Sequence, residues 1–180
     1  DVGTWKKAMR HAGLYINGGG SLIQDVTSRR SLWFYLHNIQ AAHKAGCKVQ
    51  MYGCGIGPVL REQHRKLAAS VLNASVDVIT LREPDSLKEL QSMGVTKPEI
   101  LLTADPALTL PAASEDEIDS VLLRAGIPPH GKYLCFALRN WKGFEDKAPL
   151  FAQAAKYAYE TYGLTPVFAA VEKHLYLIHI

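Results

Sequence analysis

A chain of 180 residues with 48% apolar and 21% charged residues has the make-up of one ordinary or two small globular domains, which excludes wholesale disorder. Its net charge of +3 suits a protein handling an anionic ligand and is too mild for a nucleic-acid binder, which would carry a dense basic stripe. No apolar run reaches the ~20 residues of a membrane helix and no secretory signal heads the chain, while three cysteines without a CxxC pair argue for a reducing compartment with neither zinc site nor disulfide framework.

Residues 4–12 read as the last turns of a helix closed by Gly13. A chain that opens in mid-helix is expected to be a piece lacking the first strands of its domain. The apolar run Leu14-Tyr15-Ile16 then leads into Asn17-Gly18-Gly19-Gly20-Ser21, followed by Gln24, Asp25, Arg29 and Arg30 before a helical pattern. A strand running through glycines into a helix can aim backbone N–H groups at an anion, because a Cβ would block close approach or forbid positive φ. Gly18, Gly19, Gly20, Ser21, Gln24, Asp25 and Arg29 are therefore candidate binding residues. The plainer alternative is a tight turn. No Gly-Lys-Ser/Thr follows and no G-x-G-x-x-G is kept, which demotes ATP and NAD.

Leu32, Tyr35, Leu36, Ile39 and Ala42 recur at helical spacing up to Gly46. Residues 48–52 read as a strand entering a glycine turn over 53–58, where Gly55 joins the binding candidates and Cys54 reads as packing. A helix through Leu60, Leu67, Val71 and Leu72 leads to a strand over 76–81 that delivers Arg82. A short helix stops at Gly94, and the strand Ile100-Leu101-Leu102 delivers Asp105. Strand, loop and helix repeated in this way predict a parallel sheet with right-handed crossovers, whose ligands sit outside the strand carboxyl ends. The glycine loop, the second turn, Arg82 and Asp105 all fall there. Arg82 could equally be a surface ion-pair partner, and Asp105 a cap on the turn before Pro106. His37, His43 and His64 lie on helices without metal-ligand spacing and read as surface or core imidazoles.

Residues 106–113 read as a linker, so domains are expected over 1–110 and 111–180. Ser114 with Glu117 forms a capping box for a helix ending at Gly126. The strand 132–138 ends at Arg139, another candidate for anion binding through its guanidinium fork. A helix through Phe151, Ala155 and Ala158 then leads to a strand over 165–170, a second βαβ unit.

Four stretches, Gly18-Gly19-Gly20-Ser21-Leu22-Ile23-Gln24-Asp25-Val26-Thr27-Ser28, Tyr52 to Pro58, Thr80 to Ser86 and Thr103-Ala104-Asp105-Pro106-Ala107, closely resemble the polysaccharide pyruvyl transferase family, in the family's order. The cell-wall branch of that family is the nearest. The resemblance implies an α/β, GT-B-like protein of two Rossmann-like, doubly wound parallel-sheet domains, both incomplete in this chain. It implies transfer of the pyruvyl group of phosphoenolpyruvate to a sugar as a ketal, with release of phosphate. In the cell-wall branch the sugar is an N-acetylmannosamine of a polymer that later anchors S-layer proteins.

By position, Arg82 matches a family arginine that holds phosphoenolpyruvate. Asp105 is a candidate base, and both are the catalytic candidates. No metal or cofactor is required; phosphoenolpyruvate is a substrate. The expected partners are that donor and a lipid-linked or polymeric sugar acceptor, with no nucleic acid and no transmembrane segment. The expected location is the cytoplasm at the inner face of the membrane, with peripheral membrane association and oligomerisation as further expectations. Cys54 stands where the family has glutamine and Asn140 where it has proline, while residues 172–180, including His174 and His179, depart from the family. Further histidine and lysine candidates are expected outside this chain, which alone would then be inactive. Two competing readings are a GT-B glycosyltransferase using a nucleotide sugar and a non-catalytic glycan-binding remnant.

Overall fold

The computed structural model describes residues 2–139 and 143–170. The chain divides into two compact units, Asp1–Pro111 and Ala112–Ile180. The first contains α1 (Val2–Arg10), β1 (Leu14–Gly18), β2 (Ser21–Ile23), α2 (Arg29–Lys44), β3 (Lys48–Ile56), α3 (Glu62–Ser75), β4 (Val78–Leu81), α4 (Pro84–Met93), β5 (Glu99–Leu102) and a 3-10 turn over Pro106–Thr109. The sheet order is β1-β3-β4-β5, every pairing is parallel, and β2 pairs with β3 beyond the end of β1. Parallel strands joined through helices make this an α/β fold of Rossmann-like character.

The apolar spacing read in α2, α3 and α4 places Leu32, Leu36, Ile39, Ala68, Leu72 and Leu90 in one buried cluster with Val49, Met51, Ile79 and Leu81 of the sheet. Each fully buried Leu or Ile contributes about 1.5–3 kcal/mol of apolar burial. Since side chains alternate along a strand, this cluster covers one sheet face. The other carries Leu14, Ile16, Tyr52 and Leu101, each between 43% and 54% exposed. Ser28 caps α2 by accepting the Ser31 N–H at 3.3 Å, and Gly94, at φ 79°, ends α4 in the left-handed conformation.

Two expectations change. The chain does not pass from the glycines into a helix: it returns to the sheet as β2, and α2 begins only at Arg29. Residues 53–56 are strand rather than turn, because β3 absorbs its glycines as an irregularity between Met51 and Cys54. There Gly53 takes φ 56° and its N–H donates to Thr80 Oγ1 at 2.8 Å.

The second unit holds α5 (Glu115–Arg124), opened by the Ser114–Glu117 capping box, then β6 (Tyr133–Leu138), α6 (Phe144–Tyr162) and β7 (Thr165–Ala170). β6 and β7 pair in parallel across α6, with Phe136 stacked on Phe168 at 4.9 Å and edge-on to Phe151 at 6.4 Å. No helix among the described residues is long and apolar enough to cross a membrane.

Candidate active site

The carboxyl ends of β2, β3, β4 and β5 form one rim of the first unit, and the candidate residues there fall into three groups. At the centre, Arg82 directly follows β4. Its Nη1 donates to Asp105 Oδ2 at 2.8 Å and its Nε lies 3.4 Å from Glu83 Oε2. Its Nη2 has no bonding partner among the described residues, and the side chain is 27% exposed. Two of the three guanidinium nitrogens, Nη1 and Nε, thus each face a carboxylate, and Nη2 is the donor left to an incoming anion. Beside it, α4 starts without a side-chain cap, Glu83 being its N-cap and Pro84 its first residue. The N–H groups of that first turn are therefore left for a ligand or water.

Asp105 was a candidate base, and its surroundings argue otherwise. Oδ1 accepts the Ala107 N–H at 3.0 Å while Oδ2 holds Arg82. The Ala107 hydrogen bond, helped by the Arg82 guanidinium, keeps its pKa below the ordinary carboxylate value despite some desolvation. Such a carboxylate is a poor proton acceptor, and its geometry is that of a positioning group for Arg82.

The glycines shape this rim through the backbone. Gly19 and Gly20, at φ 74° and 65°, kink the chain between β1 and β2. The Gly19 N–H is spent on Tyr52 O at 3.1 Å, and Gly20 O accepts the Gly55 N–H at 3.0 Å. Gly18 remains an ordinary paired residue of β1. The Gly19 N–H and the Gly20 carbonyl thereby knit β1 and β2 to β3. What the kink achieves is to bring Ser21 onto the rim. A Cβ on Gly55 would lie 2.5 Å from both Ser21 Oγ and Glu83 Oε1, so glycine there leaves room for both side chains over the backbone of β3. Ser21 and Arg82 consequently lie on the same side of the unit, with Glu83 beside both strand ends.

Gln24 and Asp25 are also committed within the fold. The Gln24 carbonyl accepts the N–H groups of Val26 and Thr27, and its amide nitrogen donates to Thr27 Oγ1. The Asp25 side chain is only 1% exposed. Its oxygens accept from Leu60 N at 2.8 Å, Arg61 N at 3.2 Å and lie 2.7 Å from His64 Nδ1. Burial pushes its pKa up, but the Leu60 and Arg61 hydrogen bonds and His64 together outweigh this and the net shift is downward. Asp25 staples the loop after β2 to the start of α3, and its negative charge complements that helix N-terminus. Sequence reasoning set His64 aside; a partner 39 residues away leaves no local signal.

Arg29 is exposed at the first position of α2, with no acidic residue in that turn. Cys54 is fully buried, and desolvation raises its thiol to about 11, so it packs and does not react. Glu83, Ser86 and Glu89, not singled out from sequence, line a groove of about 470 Å³ with Gly57, Pro58 and Asp85. Ser86 Oγ donates to Glu83 Oε1 at 2.8 Å and accepts the Ile56 N–H at 2.7 Å, tying α4 to the end of β3. Arg139 follows β6 in the second unit. Asn140, His174 and His179 lie outside the described residues. Among the described residues, Glu115, Asp119 and His130 bring metal-ligand atoms within 4.8 Å of one another, on the surface of the second unit.

A family model described as polysaccharide pyruvyl transferase matches residues 3–177, nearly the whole chain. The chain belongs to the polysaccharide pyruvyl transferase family. No curated protein and no solved structure matches it. Family membership makes the chain part of a transferase acting in polysaccharide chemistry.

Proposed function

We propose that this chain binds phosphoenolpyruvate at the strand-end rim of its first unit and transfers the pyruvyl group to a sugar of a cell-wall polysaccharide precursor. The observation that carries the reading is Arg82, its Nη2 free among the described residues while Asp105 and Glu83 hold its Nη1 and Nε. Phosphoenolpyruvate carries a carboxylate and a phosphate, and a guanidinium next to uncapped helix N–H groups suits either. The adjoining groove lined by Glu83, Asp85 and Glu89 offers carboxylate acceptors to the hydroxyls of a polyhydroxylated acceptor. The acceptor we propose is an N-acetylmannosamine unit, lipid-linked or polymeric.

In the reaction, a proton added at C3 develops oxocarbenium character at C2. A sugar hydroxyl attacks C2 and gives up its proton, the C2–O bond to phosphate breaks, and a second hydroxyl closes the ketal with loss of its own proton. Phosphoenolpyruvate brings its own leaving group, so the scheme requires no metal or cofactor. General acid–base assistance to such steps is worth roughly 10²–10⁴-fold, and clamping the anion aligns the donor. The two units would be the two Rossmann-like domains of a GT-B-type protein, the first of them holding the donor.

The test is phosphate release. Phosphoenolpyruvate with a lipid-linked N-acetylmannosamine disaccharide should release phosphate in proportion to ketal formed, in this chain or in a longer protein that contains it. Turnover of a UDP-sugar without any phosphoenolpyruvate consumption would replace this reading with a nucleotide-sugar glycosyltransferase. Glycan binding with no turnover of either donor would make it a binding module.

A further inference from the structure

The outer surface of α2, on the helix that follows the β2 rim loop, is patterned in a way the proposed transfer does not use. Arg30, Trp33, Phe34, His37, Ala41 and Lys44 fall, at about 100° per residue, within a single stripe roughly 100° wide. The stripe lies opposite the buried Leu32, Leu36 and Ile39. Trp33 and Phe34 are 54% and 61% exposed, an unusual cost for two large aromatics side by side. Where α1 runs against α2, a groove of about 460 Å³ opens, lined by Trp5, Met9, Arg10, His37, Ala41 and Lys44. Its floor is apolar and every titratable group lining it is basic.

Charge is segregated just as sharply. Neither α1 nor α2 contains an aspartate or glutamate, although the chain has 17 of them. Lys7, Arg10, Arg29, Arg30 and Lys44 are all exposed and have no carboxylate partner among the described residues. Ordinary solvated helices mix both signs along the surface to gain i,i+4 pairs. A face that keeps only cations and surrounds them with exposed tryptophan and phenylalanine fits a partner that is anionic at its surface and apolar beneath.

We infer that the α1–α2 face seats the protein on an anionic lipid surface, with Trp33 and Phe34 entering the headgroup boundary and Arg10, Arg30 and Lys44 meeting lipid phosphates. Tryptophan rings settle at that boundary because one end is apolar and the other polar, and long cationic side chains bury their stems while keeping their heads among the phosphates. Each basic residue near such a surface is worth about a five-fold gain in partitioning at physiological salt, screened within a Debye length. The inference is independent of which group the rim transfers.

The test is co-sedimentation of the full chain with phosphatidylcholine vesicles, with and without phosphatidylglycerol. Binding is expected only to the phosphatidylglycerol vesicles, and it should weaken as salt is raised. Arg10→Glu with Lys44→Glu should reduce partitioning more than twenty-fold, while Lys88→Glu, an exposed change on α4, should leave it within about two-fold. Trp33→Ser with Phe34→Ser should reduce it at least ten-fold without altering the salt dependence, which separates ring insertion from charge. Circular dichroism on each variant identifies any that misfolds, and the remaining pair then decides. Equal binding to neutral and anionic vesicles, or no effect of either pair, would overturn the inference. So would binding to polyglutamate or inorganic phosphate with none to vesicles, since those results would assign the face to an acidic protein or to a free anion.

Discussion

Arg82 illustrates how a side chain's neighbours decide its use. An isolated surface arginine would spend its rotamer freedom in water. Here Asp105 and Glu83 hold Nη1 and Nε of the guanidinium, so a ligand meeting Nη2 has little ordering left to impose. Asp105 itself is stabilised as the anion by the Ala107 N–H and by Arg82. Asp105→Asn keeps the size of the side chain and removes the charge that orients Arg82. If Asp105 positions Arg82, steady-state assays should show KM for phosphoenolpyruvate rising several-fold with kcat kept within about ten-fold. If it is the general base, kcat should instead fall by the roughly 10²–10⁴-fold such groups supply. That split between KM and kcat separates the two roles.

At the scale of elements, the rim exists because loops after three strands are fastened to one another. Asp25 provides the clearest fastening, joining the loop after β2 to the first turn of α3 through three donors. Its pKa in the folded chain lies below the unfolded value. The stability it contributes is therefore complete above the ordinary carboxylate pKa of about 3.9 and disappears as pH falls through the depressed folded value. Asp25→Asn should accordingly cost about 1–3 kcal/mol at pH 7, from buried donors left without a charged acceptor. In urea denaturation the gap to the parent should narrow by pH 3; a gap of equal size at both pH values would contradict the role given to the charge. This fastening was not legible in the sequence, because Asp25 and His64 carry no local pattern that pairs them. The same holds for Gly19 and Gly20. A glycine run after a strand looks alike whether the chain turns into a helix or kinks and pairs again, and only the register with β3 decides.

For the whole molecule, what was legible is what period and punctuation encode. The apolar spacing of α2 and α3, the capping box at Ser114 and the glycine at position 94 each act over a few residues, and each produced the element read from it. The alternation of strand and helix was enough for a parallel α/β fold, and strand-end placement was enough to bring Arg82 and Asp105 to one rim. The roles of individual rim residues were not, since they depend on contacts between elements distant in sequence. Gln24 and Asp25 looked like ligand contacts and make their hydrogen bonds within the protein, while Glu83, adjacent to Arg82 in sequence, lies against it and holds Ser86. The central claim is that this rim holds phosphoenolpyruvate through Arg82. Isothermal titration of phosphoenolpyruvate into the chain and into its Arg82→Ala variant tests it most directly. The account predicts saturable binding to the parent and affinity about 10²-fold weaker in the variant, the scale of losing one well-placed ionic donor; equal affinity in both would contradict it.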